Sequence, residues 1–223
     1  MSPELLETLK ESFFQILIPG IKITIPLTIL SFAVAFIIAV LVALVQYADV
    51  PVLKQISRFY IWIIRGTPLL VQLYVVFYGL PSVGITIPPF PCAVAVFGLN
   101  EGAYMAEAVR GSLEAVPTGQ VEAGYCVGMN YVQIIRRIVM PQALRTAFPS
   151  LSNSFISMLK GTSLAASITV VDMFRRAQII NAVIHQPLWL YLEAAFIYLL
   201  FCTVLTWIQN ICEKRLNAYG GVR

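Results

Sequence analysis

Residues 117–151 read PTGQVEAGYCVGMNYVQIIRRIVMPQALRTAFPSL. The stretch is too polar to cross a bilayer and too patterned to be a plain loop. Thr118 can cap a helix whose first turn carries Glu122, a charge that suits the positive end of the helix dipole. Gly128 is placed to end that helix in a left-handed turn. Asn130 can cap a second helix, with Gln133 three residues on as in a capping box. There Tyr131, Ile134, Ile135, Ile138 and Val139 fall on one apolar face, and Gln133, Arg136 and Arg137 lie opposite. Pro141 is expected to break the run. The spacing therefore predicts a bent helix pair with one apolar and one polar face. From the residues alone, two roles stay open: lying on a lipid surface, or docking another protein.

The surrounding chain is built for lipid. Of its 223 residues 59% are hydrophobic and 12% charged, and mean hydropathy is +0.82. Soluble domains carry about 25% charged residues, so the solvent for most of this surface is hydrocarbon. Ile23–Tyr47 holds no charged residue and is long enough to span. Ala194–Ile211 is a second clear span. Phe59–Gly79 contains Arg65, Cys92–Val109 contains Glu101 and Glu107, and Phe148–Val171 contains Lys160. The expectation is an all-α integral membrane protein of about five transmembrane helices, a single domain over residues 1–223.

Five crossings put the termini on opposite sides, and Lys and Arg set which is which. With the C-terminus inside, Lys54, Arg58, Arg136, Arg137, Arg145, Lys214, Arg215 and Arg223 face the cytoplasm. Lys10, Lys22, Arg175 and Arg176 face outside, with the Arg175–Arg176 pair as the exception to the rule. The exterior segment LPSVGITIPPFP, residues 80–91, reads as an irregular turn. The N-terminal MSPELLETLKESFFQ lacks a basic leader region and a cleavage site, so it is not read as a signal peptide.

Several functions are disfavoured by composition. No polybasic run exists, which argues against a nucleic-acid partner. Cys92, Cys126, Cys202 and Cys212 form no CxxC, and no metal-binding motif is present. The single histidine, His185, falls in an exterior segment, which leaves no intramembrane Ser–His pair. No GxxxxGK[ST] loop is present, so ATP is not expected to bind this chain. A secondary, ion-coupled carrier would explain buried charges but not the patterned 117–151 loop, and no inverted repeat is evident.

The loop resembles the EAA loop of ABC-importer permeases, whose pattern is Glu-Ala-Ala, three residues, Gly, nine residues, Ile-x-Leu-Pro. Glu122, Ala123, Gly124, Gly128, Ile138 and Met140-Pro141 stand at that spacing, with Gly124 in place of Ala and Met140 in place of Leu. Further stretches are similar to the polar amino-acid branch. These are Arg65-Gly66-Thr67-Pro68-Leu69-Leu70-Val71-Gln72, Ala103-Tyr104 with Glu107 and Arg110-Gly111, Gly119-Gln120, and Pro141-Gln142-Ala143. Lys160-Gly161-Thr162-Ser163-Leu164 resembles the KDTSL stretch, with Gly161 where that branch usually has Asp. TIPLTILSF, PPFP, EAGY and YLEAAFIY look most like cystine permeases. The resemblance implies a type I importer permease fold with a cytoplasmic coupling loop at about residues 117–141. It also implies a separate ATPase that consumes the ATP, a second permease subunit, an external or periplasmic binding protein, and a bacterial inner-membrane location.

An ion inside a membrane helix costs at least roughly 2.5–3.5 kcal/mol unless it pairs or meets water. Arg65, Glu101 and Lys160 are therefore either structural partners or lining of a path. Gly66 and Pro68 are expected to break the second span beside Arg65, and broken membrane helices are tolerated where they border a cavity. Freed N–H groups and a guanidinium suit a carboxylate. The substrate-binding set is thus Arg65, Gly66, Thr67, Pro68, Glu101, Lys160, Thr162 and Ser163. The ATPase-coupling set implied by the resemblance is Glu122, Ala123, Gly124, Gly128, Ile138 and Pro141. Glu107 and Arg110, one turn apart, are expected to pair locally.

Overall fold

A computed structural model describes residues 3–218, and among these the regular structure is helical throughout. α1 (Pro3–Pro19) passes through one π turn, Gly20–Thr24, into α2 (Ile25–Tyr47). α3 (Pro51–Gly66) follows a turn at Asp49, whose φ is 54°. α4 (Leu69–Tyr74) continues through a π turn and a 3-10 turn to Val83, and this segment leaves α3 at 102°. Gly84, at φ 85°, reverses the chain toward α5 (Pro89–Glu114). α6 (Thr118–Cys126) and α7 (Tyr131–Ile134) form the loop element, and α8 (Met140–Gly161) returns through the bundle. A 3-10 segment, Thr162–Ile168, then bends by 50° into α9 (Met173–Ile184), and α10 (Pro187–Ala218) closes the chain.

Three prolines shape these helices in one way. Proline has no N–H and its ring clashes with the carbonyl four residues back, so a helix that continues through it must change register. Before Pro26, Pro81 and Pro141 the chain inserts a π turn. The N–H of Ile25, Leu80 and Met140 bonds five residues back, to the carbonyls of Gly20, Val75 and Ile135. The extra residue absorbs the clash and the helix goes on. This corrects the expected break at Pro141, because the second loop helix runs on into α8. It also lengthens the first span, which is continuous from Leu9 to Tyr47.

The core is organised around α2 and α5. Ser31, Ala35, Ala39 and Ala43 recur every fourth residue on α2 and are fully buried. They face a stripe of small residues on α5 that includes Gly98, Gly102 and Ala106. A Cβ on Gly98 would lie 2.6 Å from Val34 Cγ1, and one on Gly102 would lie 3.0 Å from Ile38 Cγ2. In lipid, where apolar side chains gain nothing by leaving the solvent, such close backbone approach is what holds helices together. At one end Ala43, Leu113, Val116, Ile134, Val139 and Ala143 join this core to the loop element. Toward the other end α1, α9 and α10 pack through Ile16, Met173, Ala177, Leu190 and Ile197.

Two helices are long and apolar enough to cross a membrane, Leu9–Tyr47 and Pro187–Leu216, and four if each bent pair is one span. α5 has 26 residues, about 39 Å at 1.5 Å per residue, and is the fifth by length although four charged residues lie along it. Arg175 and Arg176 lie in the first turn of α9, which packs beside α1, and Lys22 lies inside the continuous first helix. There Arg175 donates to Gln178 and Arg176 to Gln15 of α1. Arg223 lies outside the described residues.

Gly98→Val should lower the thermal unfolding midpoint of the detergent-solubilised protein, with a cost of roughly 1–3 kcal/mol for overpacking. Gly111→Ala on the same helix, where a Cβ meets nothing within 4 Å, should leave the midpoint unchanged. Equal midpoints for the Gly98 variant and wild type would show that the seam is not close-packed.

Candidate functional site: a broken helix and a patterned loop

The break between α3 and α4 falls where Gly66 and Pro68 were expected to place it. Gly66 ends α3, Thr67 is extended at φ −122° and ψ 143°, and Pro68 begins the next turn. A break frees carbonyls at the end of one helix and N–H groups at the start of the next. The carbonyls are met by Gln72. Its Nε2 lies 2.8 Å from Ile64 O, 3.1 Å from Thr67 O and 2.8 Å from Thr67 Oγ1. Its Oε1 accepts from Asn100 Nδ2 of α5 at 3.0 Å. The N–H groups of Leu69, Leu70 and Val71 precede the first bond of α4, and Pro68 supplies no side-chain cap. Arg65 is exposed at the break, its guanidinium 5.1 Å from the centre of the Tyr104 ring on α5, a cation–π contact.

Sequence reading located Arg65, Gly66, Thr67 and Pro68 but missed Gln72, Asn100 and Tyr104. Gln72 and Tyr104 stand inside the motifs that carry the resemblance, and a helix break always leaves carbonyls in need of donors. That need was the available signal.

The remaining path residues divide. Glu101, half-buried on α5, faces the hydroxyl of Ser154 on α8. Lys160 and Ser163 line a different cavity, with Phe174, Tyr191, Tyr198 and Cys202. Thr67 lines a narrow apolar cavity with Gln72, Val75 and Val96. Thr162 is fully buried and donates to Leu159 O at 2.6 Å, and Ser163 donates to Lys160 O at 2.9 Å, so both hydroxyls secure the end of α8. A Cβ on Gly161 would meet only Phe97, at 4.0 Å, so the glycine is not required by packing. Below them Asp172 is buried and caps α9, accepting from Arg175 N at 2.8 Å and from the Tyr198 hydroxyl at 3.0 Å.

The loop element matches its sequence in most particulars. Gly128 is left-handed at φ 78°. Asn130 and Gln133 form a reciprocal capping box, each bond 2.9 Å. Thr118 is not the cap: Pro117 occupies that position without a side-chain bond, and Thr118 is the first helical residue. The apolar face of α7 is turned inward. Ile134 and Val139 are fully buried, and Ile134 and Ile138 lie under Gly124. An alanine Cβ at position 124 would stand 2.8 Å from Ile134 Cγ1, which accounts for glycine where the motif has alanine. What the loop presents to solvent is Glu122, Ala123, Tyr125, Val127, Tyr131, Val132 and Pro141. Val127 and Val132 are 76% and 70% exposed, an apolar patch on a charged, solvent-facing loop.

Arg110 pairs with Glu107 at 3.0 Å as expected, and also with Glu114 at 2.7 Å. Glu193 of α10 is half-buried and accepts from Ser12 of α1.

A family model described as the inner membrane component of binding-protein-dependent transport systems matches residues 35–218. The L-cystine transport system permease protein TcyB of Bacillus subtilis is 47% identical over 214 residues, 96% of this chain and 92% of its own length. The L-cystine transport system permease protein TcyL of the same organism is 37% identical, covering 92% of this chain and 89% of its own. The crystal structure of an amino acid ABC transporter with histidines superposes with a TM-score of 0.86 at 32% identity, over 96% of this chain and all of the other. The ion-coupled carrier has no support from these relatives. A bundle broken at Gly66–Pro68, an EAA-patterned loop at one end and relatives that match along nearly the whole chain agree. The chain belongs to the binding-protein-dependent inner membrane components, as the multi-pass permease subunit of an amino-acid ABC importer.

Proposed function

We propose that this permease carries L-cystine inward across a bacterial cell membrane. The observation that carries the reading is the 47% identity, over almost the full length of both chains, to a permease of L-cystine transport. The chemistry of the break agrees. Cystine has two carboxylates and two ammonium groups and suits a path with both signs. The Arg65 guanidinium and the uncapped start of α4 suit a carboxylate, and Glu101 suits an ammonium. Gly66, Thr67 and Pro68 open the break, while Lys160 and Ser163 line a separate cavity against α9 and α10 and Thr162 secures the end of α8. Gly161, without the aspartate of its branch, leaves the region less acidic than a site for cationic amino acids would be.

Transport is powered from outside this chain. A partner ATPase binds and hydrolyses ATP, and this subunit holds no cofactor. The ATPase docks on residues 117–141, through Glu122, Ala123 and the exposed Tyr125, Val127, Tyr131 and Val132. Gly124, Gly128, Ile138 and Pro141 set the shape of that surface. Two permease subunits, two ATPases and an external binding protein form the machine, with the N-terminus of this chain outside and its C-terminus in the cytoplasm. Closure of the ATPases moves the loop, and the core it shares with α5 and α8 transmits the movement to the break.

Three measurements test this. In a strain lacking its own cystine uptake, the complete transporter should import radiolabelled cystine, with unlabelled cystine competing better than arginine or glutamine. Arginine import without cystine import would overturn the substrate. Arg65→Gln should lower kcat/KM for uptake about tenfold or more, the worth of a lost charge-assisted hydrogen bond, while the ATPase still copurifies. An active Arg65 variant would remove the carboxylate role. Gly161→Asp should fit without clash and shift competition toward arginine; unchanged competition would place selection in the binding protein. Separately, Gly128→Val forces a β-branched residue into a left-handed turn, at a cost of roughly 1–2 kcal/mol. It should weaken ATPase association and uptake together, and normal assembly with normal uptake would exclude this turn from docking.

A further inference from the structure

At the end of the bundle that carries the docking loop, α2, α3 and α5 enclose a cleft of about 350 Å³, within the range of small-molecule sites. Its two walls have opposite character. The α3 wall presents Lys54 and Arg58, with Ile61 and Trp62 beside them. The α5 wall presents Glu107, Arg110 and Glu114. Arg110 sits between its two acids, bonded to both, so that wall keeps one negative charge in excess. Lys54 is paired with Asp49 outside the cleft, while Arg58 makes no ion pair among the described residues, so the α3 wall keeps one positive charge in excess. Gln46 adds an amide whose Nε2 is buried and has no hydrogen-bond partner. A buried donor without a partner costs roughly 1–3 kcal/mol.

From this arrangement we infer that the cleft is a second, loop-end binding site for a zwitterionic amino acid, distinct from the helix break. The carboxylate meets Arg58, and the ammonium meets Glu107 and Glu114. Either charge alone would be repelled by one wall; a zwitterion satisfies both. The same helix carries the cleft and the break, and Arg65 lies seven residues, two helical turns, beyond Arg58 on the same face. This rests on the amino-acid import reading above, and it adds residues and a location that the reading does not need.

The test uses the permease assembled with its ATPase in nanodiscs, without binding protein. Cys92, Cys126, Cys202 and Cys212 are replaced by serine, and Trp62→Cys is introduced as a reporter at the cleft. The probe is L-cystathionine, which carries two zwitterionic ends but no disulfide to exchange with the reporter. It should slow thiosulfonate labelling at position 62, and adding Arg58→Gln should abolish that protection. Without the reporter, equilibrium binding of labelled cystathionine should weaken about tenfold for Arg58→Gln, the loss of one charge-assisted contact. Glu114→Gln should weaken it in the same direction. Binding unaffected by either substitution overturns the inference, as does protection that follows phosphatidylethanolamine content rather than amino acid, which would make the occupant a lipid headgroup. Cystine import by the wild-type transporter with no protection in the Trp62→Cys reporter variant overturns the cleft and leaves the cystine reading standing. Protection by cystathionine without cystine import overturns the substrate and leaves the cleft.

Discussion

Ser31, Ala35, Ala39 and Ala43 of α2 let two backbones approach until Gly98 and Gly102 of α5 have no room for a Cβ. Every functional part of the molecule is referred to that seam. α5 positions Asn100 and Tyr104 at the helix break, Glu101 against α8, and Glu107, Arg110 and Glu114 along the cleft. Three residues separate its end from α6, in the EAA-patterned loop. Small residues repeated every fourth position along a membrane helix give a long, straight, dry contact without relying on the hydrophobic effect, which lipid cancels. A rigid central pair can then carry displacement from one end of the bundle to the other.

The helix break illustrates how a membrane protein tolerates irregular backbone. Gly66 and Pro68 make the break, and Gln72 makes it bearable by supplying donors to the carbonyls of Ile64 and Thr67. Asn100 in turn holds Gln72 and so fixes the break to α5. The acceptor side, the carbonyls, is satisfied and the donor side, the N–H groups of Leu69, Leu70 and Val71, is left open, a polarity that favours an anionic group at the start of α4. The π turns before Pro26, Pro81 and Pro141 solve the related problem of continuing a helix through proline, and they do so by shifting register instead of breaking.

Charge is distributed with the same economy. Arg65 is exposed over an aromatic ring, Arg110 is held between two acids, and Arg175 and Arg176 are taken up by Gln178 and Gln15. Asp172 is buried but fully engaged as the cap of α9. Arg58, by contrast, makes no ion pair among the described residues, and it lies in a cleft with an unsatisfied amide. A charge without a partner beside a surplus of the opposite sign is the arrangement in which a ligand of both signs gains most.

The sequence by itself determined what is local or compositional. Apolar runs fixed lipid as the solvent. Gly66–Pro68 fixed the break, Gly128 the left-handed turn, and Asn130 with Gln133 the capping box, because each follows from backbone conformation within a few residues. The spacing of Glu122, Gly128 and Pro141 carried the family. Tertiary structure decided which way faces point and what lies across from what. Ile134 reads as surface for a partner, yet it is buried because Gly124 folds over it. Lys160 reads as a neighbour of Arg65, yet it lines a cavity with α9 and α10. Gln72 and Asn100 are 28 residues apart and meet only when α4 packs on α5. Periodicity shows that a helix has two faces; which of them meets protein, lipid or water is fixed by the other helices, and no local pattern encodes them.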